Sequence, residues 1–300
     1  MRLAHLSDVH VDDLTNVKWT RFLNKRLTGL VNLVGHRKHA HPRHMLEAAV
    51  ASIADDPTID HVVVTGDLTN LALESEMTAA RQILAPLSHK LSVIPGNHDV
   101  YTRGAERSRR FEQIFGDWIF GASAPEYPWH KRLPATAATS PALHLLGFCS
   151  AVARPWFMAT GVVSRAQLDR LTTVAQSPDF TDPSAFRVAL VHHNLHARGW
   201  RKDAMHGLTN RDELLDALYQ AKVGLLLHGH THFAHRKTLR GVEVVGCGST
   251  TWASSNPAHL GRYNVYTFAK QAGMATLAQT DVVRFDADAR RFIAPSAPTA

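Results

Sequence analysis

Apolar positions along the chain fall into two alternating patterns: short continuous runs, and stripes spaced three and four residues apart. The runs "RLAHLS" (2–7), "HVVVTGD" (61–67), "KLSVIPGNHD" (90–99), "ALHLLGFCSA" (142–151), "FRVALVHHN" (186–194) and "KVGLLLHGH" (222–230) predict strands buried on both faces, as in a sheet covered on each side. Between them, "PRHMLEAAVASIAD" (42–55) sets Met45, Leu46, Ala49, Val50 and Ile53 at helical spacing after a proline start. Segments 74–87, 104–120, 164–176 and 209–222 also read as helices, the third with Ser164 as N-cap. The first hundred residues thus read β-α-β-α-β. Later, "KTLRGVEVVGCGS", "RYNVYTFAK" and "MATLAQTDVVRFD" predict antiparallel strands joined by short turns. Residues 121–141, rich in Gly, Ser, Ala and Pro, predict a long loop or small insertion, and 288–300 a disordered tail after a domain covering 1–287.

Composition narrows this without choosing a function. With 300 residues, 45% hydrophobic and 20% charged, the chain can bury about three quarters of its unfolded surface. Cys149 and Cys247 are too few for a disulfide framework, which predicts a reducing compartment. Polar residues interrupt the N-terminal segment before a signal-peptide core can form, and no apolar run approaches the ~20 residues of a membrane span. The expected location is therefore cytoplasmic. A net charge of +7 suits an anionic substrate, nucleic acid or a membrane surface equally.

The strand ends carry the chemistry. Successive runs finish in "SDVH" (Asp8, His10), "GDLTN" (Asp67), "GNHD" (Asn97, His98), "VHHN" (His192, His193) and "HGHTH" (His230, His232). Strand ends on one edge of an α/β sheet are close in space however far apart in sequence. Carboxylate, imidazole and amide oxygen together suit borderline or hard divalent metals such as Mn, Fe or Zn. So many ligands are too many for one catalytic ion. They suit two ions, divalent or mixed-valence, sharing one carboxylate, a geometry that places metals roughly 3.5–4 Å apart and clamps both oxygens of a displacement at phosphorus. Phosphate ester hydrolysis can need acceleration by up to ~10²¹, whereas one acid or base supplies about 10²–10⁴, so metals must carry most of it.

In order and spacing, "DVH", "GDLTN", "GNHD", "VHHN" and "GHTH" resemble the five blocks of the calcineurin-like metallophosphoesterase superfamily over about residues 1–250. The resemblance implies an α/β fold of two packed mixed β-sheets flanked by helices. It also implies that Asp8, His10, Asp67 and His232 hold one metal and that Asp67, Asn97, His192 and His230 hold the other. Asp67 would bridge them, a bridging hydroxide would be the nucleophile, and His98 would serve the leaving oxygen without binding metal. Protein Ser/Thr phosphatases of the superfamily have an Asp and an Arg after the bridging Asp where this chain has Leu68, Thr69 and Asn70. That argues against phosphoprotein substrates. The block is similar instead to the bacterial cyclic-nucleotide phosphodiesterases. The commonest UDP-diacylglucosamine hydrolases carry Arg where His98 stands here.

Residues 18–44 interleave Trp19, Phe22, Leu23, Leu27, Leu30, Val31 and Val34 with Lys18, Arg21, Lys25, Arg26, Arg37 and Lys38. This basic amphipathic insertion predicts either a stripe packed on the core or a lid and peripheral membrane contact beside the metals. His5 and His228 read as core histidines, His235 as exposed, and His193 as either a support for the site or a substrate contact, or else a structural hydrogen bond. Asp12 and Asp13 read as an ordinary polar loop. The expected function is phosphodiester hydrolysis of a cyclic nucleotide or phospholipid-like substrate. The rivals are a lipid-linked or UDP-diacylglucosamine-type hydrolase at a membrane surface and a nuclease. With no aromatic single-strand platform to add to charge, nucleic acid is not an expected partner. A metal-free scaffold would have lost ligands, and all seven stand.

Overall fold

The computed structural model describes residues 1–35, 40–121 and 124–294. Its strands are β1 (Arg2–Leu6), β2 (His61–Val64), β3 (Leu91–Val93), β4 (Trp129–Leu133), β5 (Ala142–Gly147), β6 (Ala185–Leu190), β7 (Leu225–His228), β8 (Ala234–Leu239), β9 (Val242–Cys247), β10 (Arg262–Gln271), β11 (Met274–Asp286) and β12 (Arg291–Ile293). They form two mixed six-stranded sheets, ordered β12-β11-β10-β1-β2-β3 and β4-β5-β6-β7-β9-β8. Strands β1, β2 and β3 run parallel, as do β5, β6, β7 and β9. Helices α1 (Arg26–Gly35), α2 (Arg43–Ala54), α3 (Glu74–Leu84), α4 (Arg103–Arg107) and α5 (Arg110–Ile119) come before β4 in the chain. They are followed by α6 (Arg165–Ala175), α7 (Pro178–Thr181), α8 (Trp200–His206) and α9 (Arg211–Gln220).

Alternation along the central strands divides the interior in two. Leu225 and Leu227 join the large core shared with Leu3, Leu6 and Val63, while Leu226 and Val244 join a second core with Leu168, Leu171, Leu214 and Leu218 from α6 and α9. This is the expected sandwich flanked by helices. Every residue of β2 and β7 is buried, as continuous apolar runs require.

Three expectations need correction. Residues 121–141 contain a strand, β4, antiparallel to β5 at the sheet edge, where "WHKRL" buries only Trp129 fully and so shows no apolar run. The tail expected from 288 begins instead with β12, which pairs with β11 and buries Phe292; 295–300 lie outside the described residues. The single helix expected over 104–120 is two, broken where Arg109 takes a left-handed backbone (φ 47°). Among the described residues no helix is long and apolar enough to cross a membrane.

Segment 18–44 divides its apolar side chains. Phe22, Leu30 and Leu33 pack with Val17, Leu71, Leu73 and Tyr101, while Trp19, Leu23, Leu27 and Val31 face solvent. Arg26 is buried and donates from its guanidinium to the carbonyls of Leu71 and Ala72, at 2.7 and 3.0 Å. Helix α1 is therefore anchored on one face and bare on the other. The side chain of Val34 and residues Arg37 and Lys38 lie outside what the structure describes.

Candidate metal centre

The parallel pairing of the strands continues past their ends and sets the loops side by side. The amide of Asp8 donates to Gly66 O (3.1 Å), His10 to Asp67 O (3.0 Å), and Gly229 to His192 O (3.1 Å). At these turns the backbone enters the left-handed region, with φ 51° at Asp8, 47° at His10, 54° at Asp67, 67° at His230 and 59° at His232. Such conformations cost about 1–3 kcal/mol each and persist only where the surroundings dictate them, which makes their concentration at five polar strand-end residues a mark of function. The glycines of the motifs have a steric cause. A Cβ at Gly96 would overlap the Asp67 carboxylate, and one at Gly229 would overlap the Ser7 hydroxyl.

Two groups of donors result, contributed by both sheets. Ligand atoms of Asp8, His10, Asp67 and His232 all lie within 4.8 Å of one another. On the other side of Asp67, His192 Nε2 lies 3.3 Å from its Oδ2 and 3.1 Å from Asn97 Oδ1, and His230 Nδ1 lies 2.9 Å from the same Asn97 oxygen. The seven residues singled out in the sequence thus surround one space, with Asp67 common to both groups. Asp8, His10, Asp67 and His192 are almost fully buried.

The hydrogen bonds around this space indicate what belongs in it. His10 donates through Nδ1 to Thr69 O (3.3 Å), His192 through Nδ1 to Thr65 O (2.8 Å), and His230 through Nε2 to His206 O (2.7 Å). Each of these bonds orients its ring so that, in the neutral imidazole, the second nitrogen presents a lone pair inward. There His10 Nε2 lies 3.0 Å from His232 Nε2, and the nitrogens of His192 and His230 face the Asn97 oxygen. For His230, which donates through Nε2 to a carbonyl, a lone pair at Nδ1 facing an amide oxygen repels it unless a cation lies between, and imidazoles, carboxylates and an amide oxygen together are a donor set that fits divalent metal ions.

Electrostatics agree. Burial opposes ionisation of Asp67, yet the neighbouring imidazoles of His192, His98 and His10 together hold its carboxyl well below the usual range. Burial works against a charge on His192 too, but Asp67 carries it up to about 9, so without a cation its Nε2 holds a proton toward Asp67 that a bound ion would replace. Burial and adjacent imidazoles push His10 and His230 well below their ordinary value, which keeps them neutral and able to coordinate. Asp99 accepts from the amides of Gly96, Leu68 and Thr69 and ties the loop bearing Asp67 to the loop bearing Asn97 and His98; burial, then the Asp67 charge, raises it to about 7.

His98 lies at the rim. Its Nδ1 donates to Asn70 O (2.7 Å), its ring stacks on Tyr101 at 5.5 Å between centroids, and it meets His10 edge-on at 4.9 Å. His193 is bonded at both nitrogens, to Ser150 Oγ (2.7 Å) and Ala159 O (3.0 Å), and its ring lies against His230, so it serves as a structural support. His5 is a satisfied core histidine between Thr65 and Tyr266. Asp13 caps its own loop through the amide of Thr15. The sequence reading missed His41, whose ring lies 4.5 Å from His10 and 5.5 Å from His232 and whose Nδ1 is 2.9 Å from Thr251 Oγ1. Its place in the histidine-rich stretch "HRKHAHPRH" was the available signal. His235, expected in solvent, is half-buried and stacked on His196.

Beyond Tyr101 opens a cleft of about 570 Å³ lined by Arg21, Lys25, Arg103, Arg154, Tyr101 and Trp156, among others. Lys25 crosses it, donating to the carbonyls of Arg154 and Met158 with its ammonium over the Tyr101 ring.

Residues 1–234 match the family model described as calcineurin-like phosphoesterase. A probable cyclic nucleotide phosphodiesterase from Vesicomyosocius okutanii is 23% identical over 88% of this chain and 92% of its own. A glycerophosphodiester phosphodiesterase from Enterobacter lignolyticus is 32% identical over 99 residues, 33% of this chain and 30% of its own. Among solved structures, a dimetal phosphatase from Danio rerio superposes with a TM-score of 0.55 at 14% identity, covering 95% of this chain and 99% of its own.

Proposed function

The chain belongs to the calcineurin-like phosphoesterase family and is a metal-dependent phosphoester hydrolase; on that premise we propose that it cleaves phosphodiesters at a two-metal centre. The observation that carries this reading is the pair of donor groups meeting at Asp67. In our assignment Asp8, His10 and His232 complete one metal position, Asn97, His192 and His230 the other, and Asp67 belongs to both. When bound, the ions supply charge to the phosphoryl oxygens and lower the pKa of the attacking water. Thr69, Thr65 and His206 hold three of the ligand imidazoles in the coordinating tautomer through their carbonyls. His98, oriented by Asn70 O, donates a proton from Nε2 to the leaving oxygen as its bond to phosphorus breaks.

The basic, aromatic-edged cleft beyond Tyr101 favours an anionic diester that carries an aromatic or apolar group, and the name of the Vesicomyosocius okutanii relative favours a cyclic nucleotide. Purified protein should hydrolyse a chromogenic phosphodiester and at least one cyclic nucleotide, lose both activities with EDTA and regain them with Mn. Turnover of monoesters alone would refute the diester assignment, and full activity after verified metal removal would refute the centre.

A second reading rests on the bare side of residues 19–31. Trp19, Leu23, Leu27 and Val31 are exposed beside Lys18 and Arg21, and Trp156, Phe157 and Trp200 are exposed as well. Such a surface suits a lipid-linked phosphoester presented at an anionic bilayer.

A further inference from the structure

Behind the metal centre, three histidines from separate parts of the chain meet again. His228 ends β7, His196 follows β6 by a loop, and His235 lies near the start of β8. Alternation along β7 gives His228 the parity of Leu226, on the face that packs against α6 and α9 rather than on the inter-sheet face. One ring nitrogen from each of the three lies within 4.8 Å of the others. The rings of His196 and His235 are parallel within 7° at 3.7 Å, and that of His228 lies 5.7 Å from His196.

Their hydrogen bonding is unlike that of His5, which is bonded at both ring nitrogens. His228 is fully buried and donates through Nδ1 to Gly229 O (2.9 Å), which leaves its Nε2 as a lone pair. That Nε2, His196 Nδ1 and His235 Nδ1 are all buried atoms without a hydrogen-bond partner. Three orphaned imidazole nitrogens in one place are costly unless something occupies the space between them, because a buried polar group that loses its water and gains no partner is destabilising. The carbonyl behind His228 is the same device that fixes the ligand imidazoles at the metal centre.

We infer that His196, His228 and His235 form a separate three-histidine site for a borderline divalent cation such as zinc. Three neutral imidazoles with an open fourth position are a coordination set that zinc accepts. With no carboxylate among its ligands, and with Arg198 and Lys237 near enough to oppose a positive charge, the site should bind more weakly than the centre at Asp67.

The test is zinc stoichiometry by equilibrium dialysis and elemental analysis on the whole chain, wild type against His196→Ala and His235→Asn, with turnover of a chromogenic phosphodiester measured in parallel. Each variant should bind one zinc fewer than wild type, the most weakly held one, with turnover within twofold and an unchanged melting temperature in EDTA. Equal zinc content in wild type and variants would overturn the site and leave a water between the rings. Loss of zinc and turnover in proportion would also overturn it, because the missing ion would then belong to the centre at Asp67.

Discussion

Glu76 offers a test that reaches the metal centre through the loop beneath it. Its Oε2 accepts from the amides of Leu71 and Leu73, closing the first turn of α3 and fixing the segment that follows Asp67 and Asn70, while its Oε1 is buried without a partner. Burial lifts its carboxyl from 4.5 to about 8, against the pull of the two amides and Arg26. The sign follows directly. A folded pKa above the unfolded one means the fold prefers the protonated acid, so this stabilisation is complete below pH 4.5 and is lost as pH rises through about 8. At about 1.4 kcal/mol per pH unit the full gap corresponds to ~5 kcal/mol, of which ~4 falls between pH 5 and pH 9. Glu76→Gln retains an oxygen for the two amides and never ionises. Urea unfolding of both proteins in EDTA, at intervals from pH 5 to 9, should show wild type losing about 4 kcal/mol relative to the variant across that range, the other titrating groups cancelling in the difference. A difference that stays constant with pH would mean Glu76 is ionised throughout and would refute the argument.

Further outcomes are expected at the site and its rim. Asp67→Asn should lower metal content at both positions and be the most damaging ligand change; turnover within tenfold of wild type would disprove its shared role. His98→Ala should keep its metals and lose about 10²–10⁴ in kcat, less for esters whose leaving group needs no proton; depleted metal content would make His98 a ligand instead. Leu23→Ser with Val31→Ser should reduce sedimentation with anionic vesicles at unchanged melting temperature if the bare face of residues 19–31 contacts lipid, and vesicle binding equal to wild type would remove that reading. Arg26→Met, by contrast, should lower stability whatever the substrate, since it removes the two bonds that anchor α1 to Leu71 and Ala72; an unchanged urea midpoint would show those bonds contribute nothing.

The polar residues at the strand ends could be set side by side from the sequence because each follows a run of apolar residues with at most four residues between, and the resemblance then picked seven of them as ligands. What sequence order could not give is convergence between elements with no shared period. His41 reaches the site from the loop before α2, and the cluster of His196, His228 and His235 assembles from one loop and two strands that meet only once the sheet has formed. Edge strands β4 and β12 escaped notice because a strand covered on one side buries few of its residues and leaves no run. Segment 18–44 held both readings at once. Its alternating pattern showed that a helix would form, but which apolar residues lie inward depends on Leu71 and Leu73, some forty residues away.

The left-handed turns at Asp8, His10, Asp67, His230 and His232 also bear on how the molecule behaves when its centre is empty. The sheets hold their strands without help, since β1, β2, β6 and β7 are packed in apolar cores, but the five turns beyond them keep an unfavourable backbone only while their side chains have common work to do. Without cations those loops are the parts of the chain with the least reason to stay closed, so amides at residues 8–11, 67–71 and 229–232 should exchange with solvent earlier than the strands that carry them. On the proposed assignment, loading the centre would be the last step of folding, local to the strand ends, and the residues assigned to the ions would be the ones the ions finish ordering.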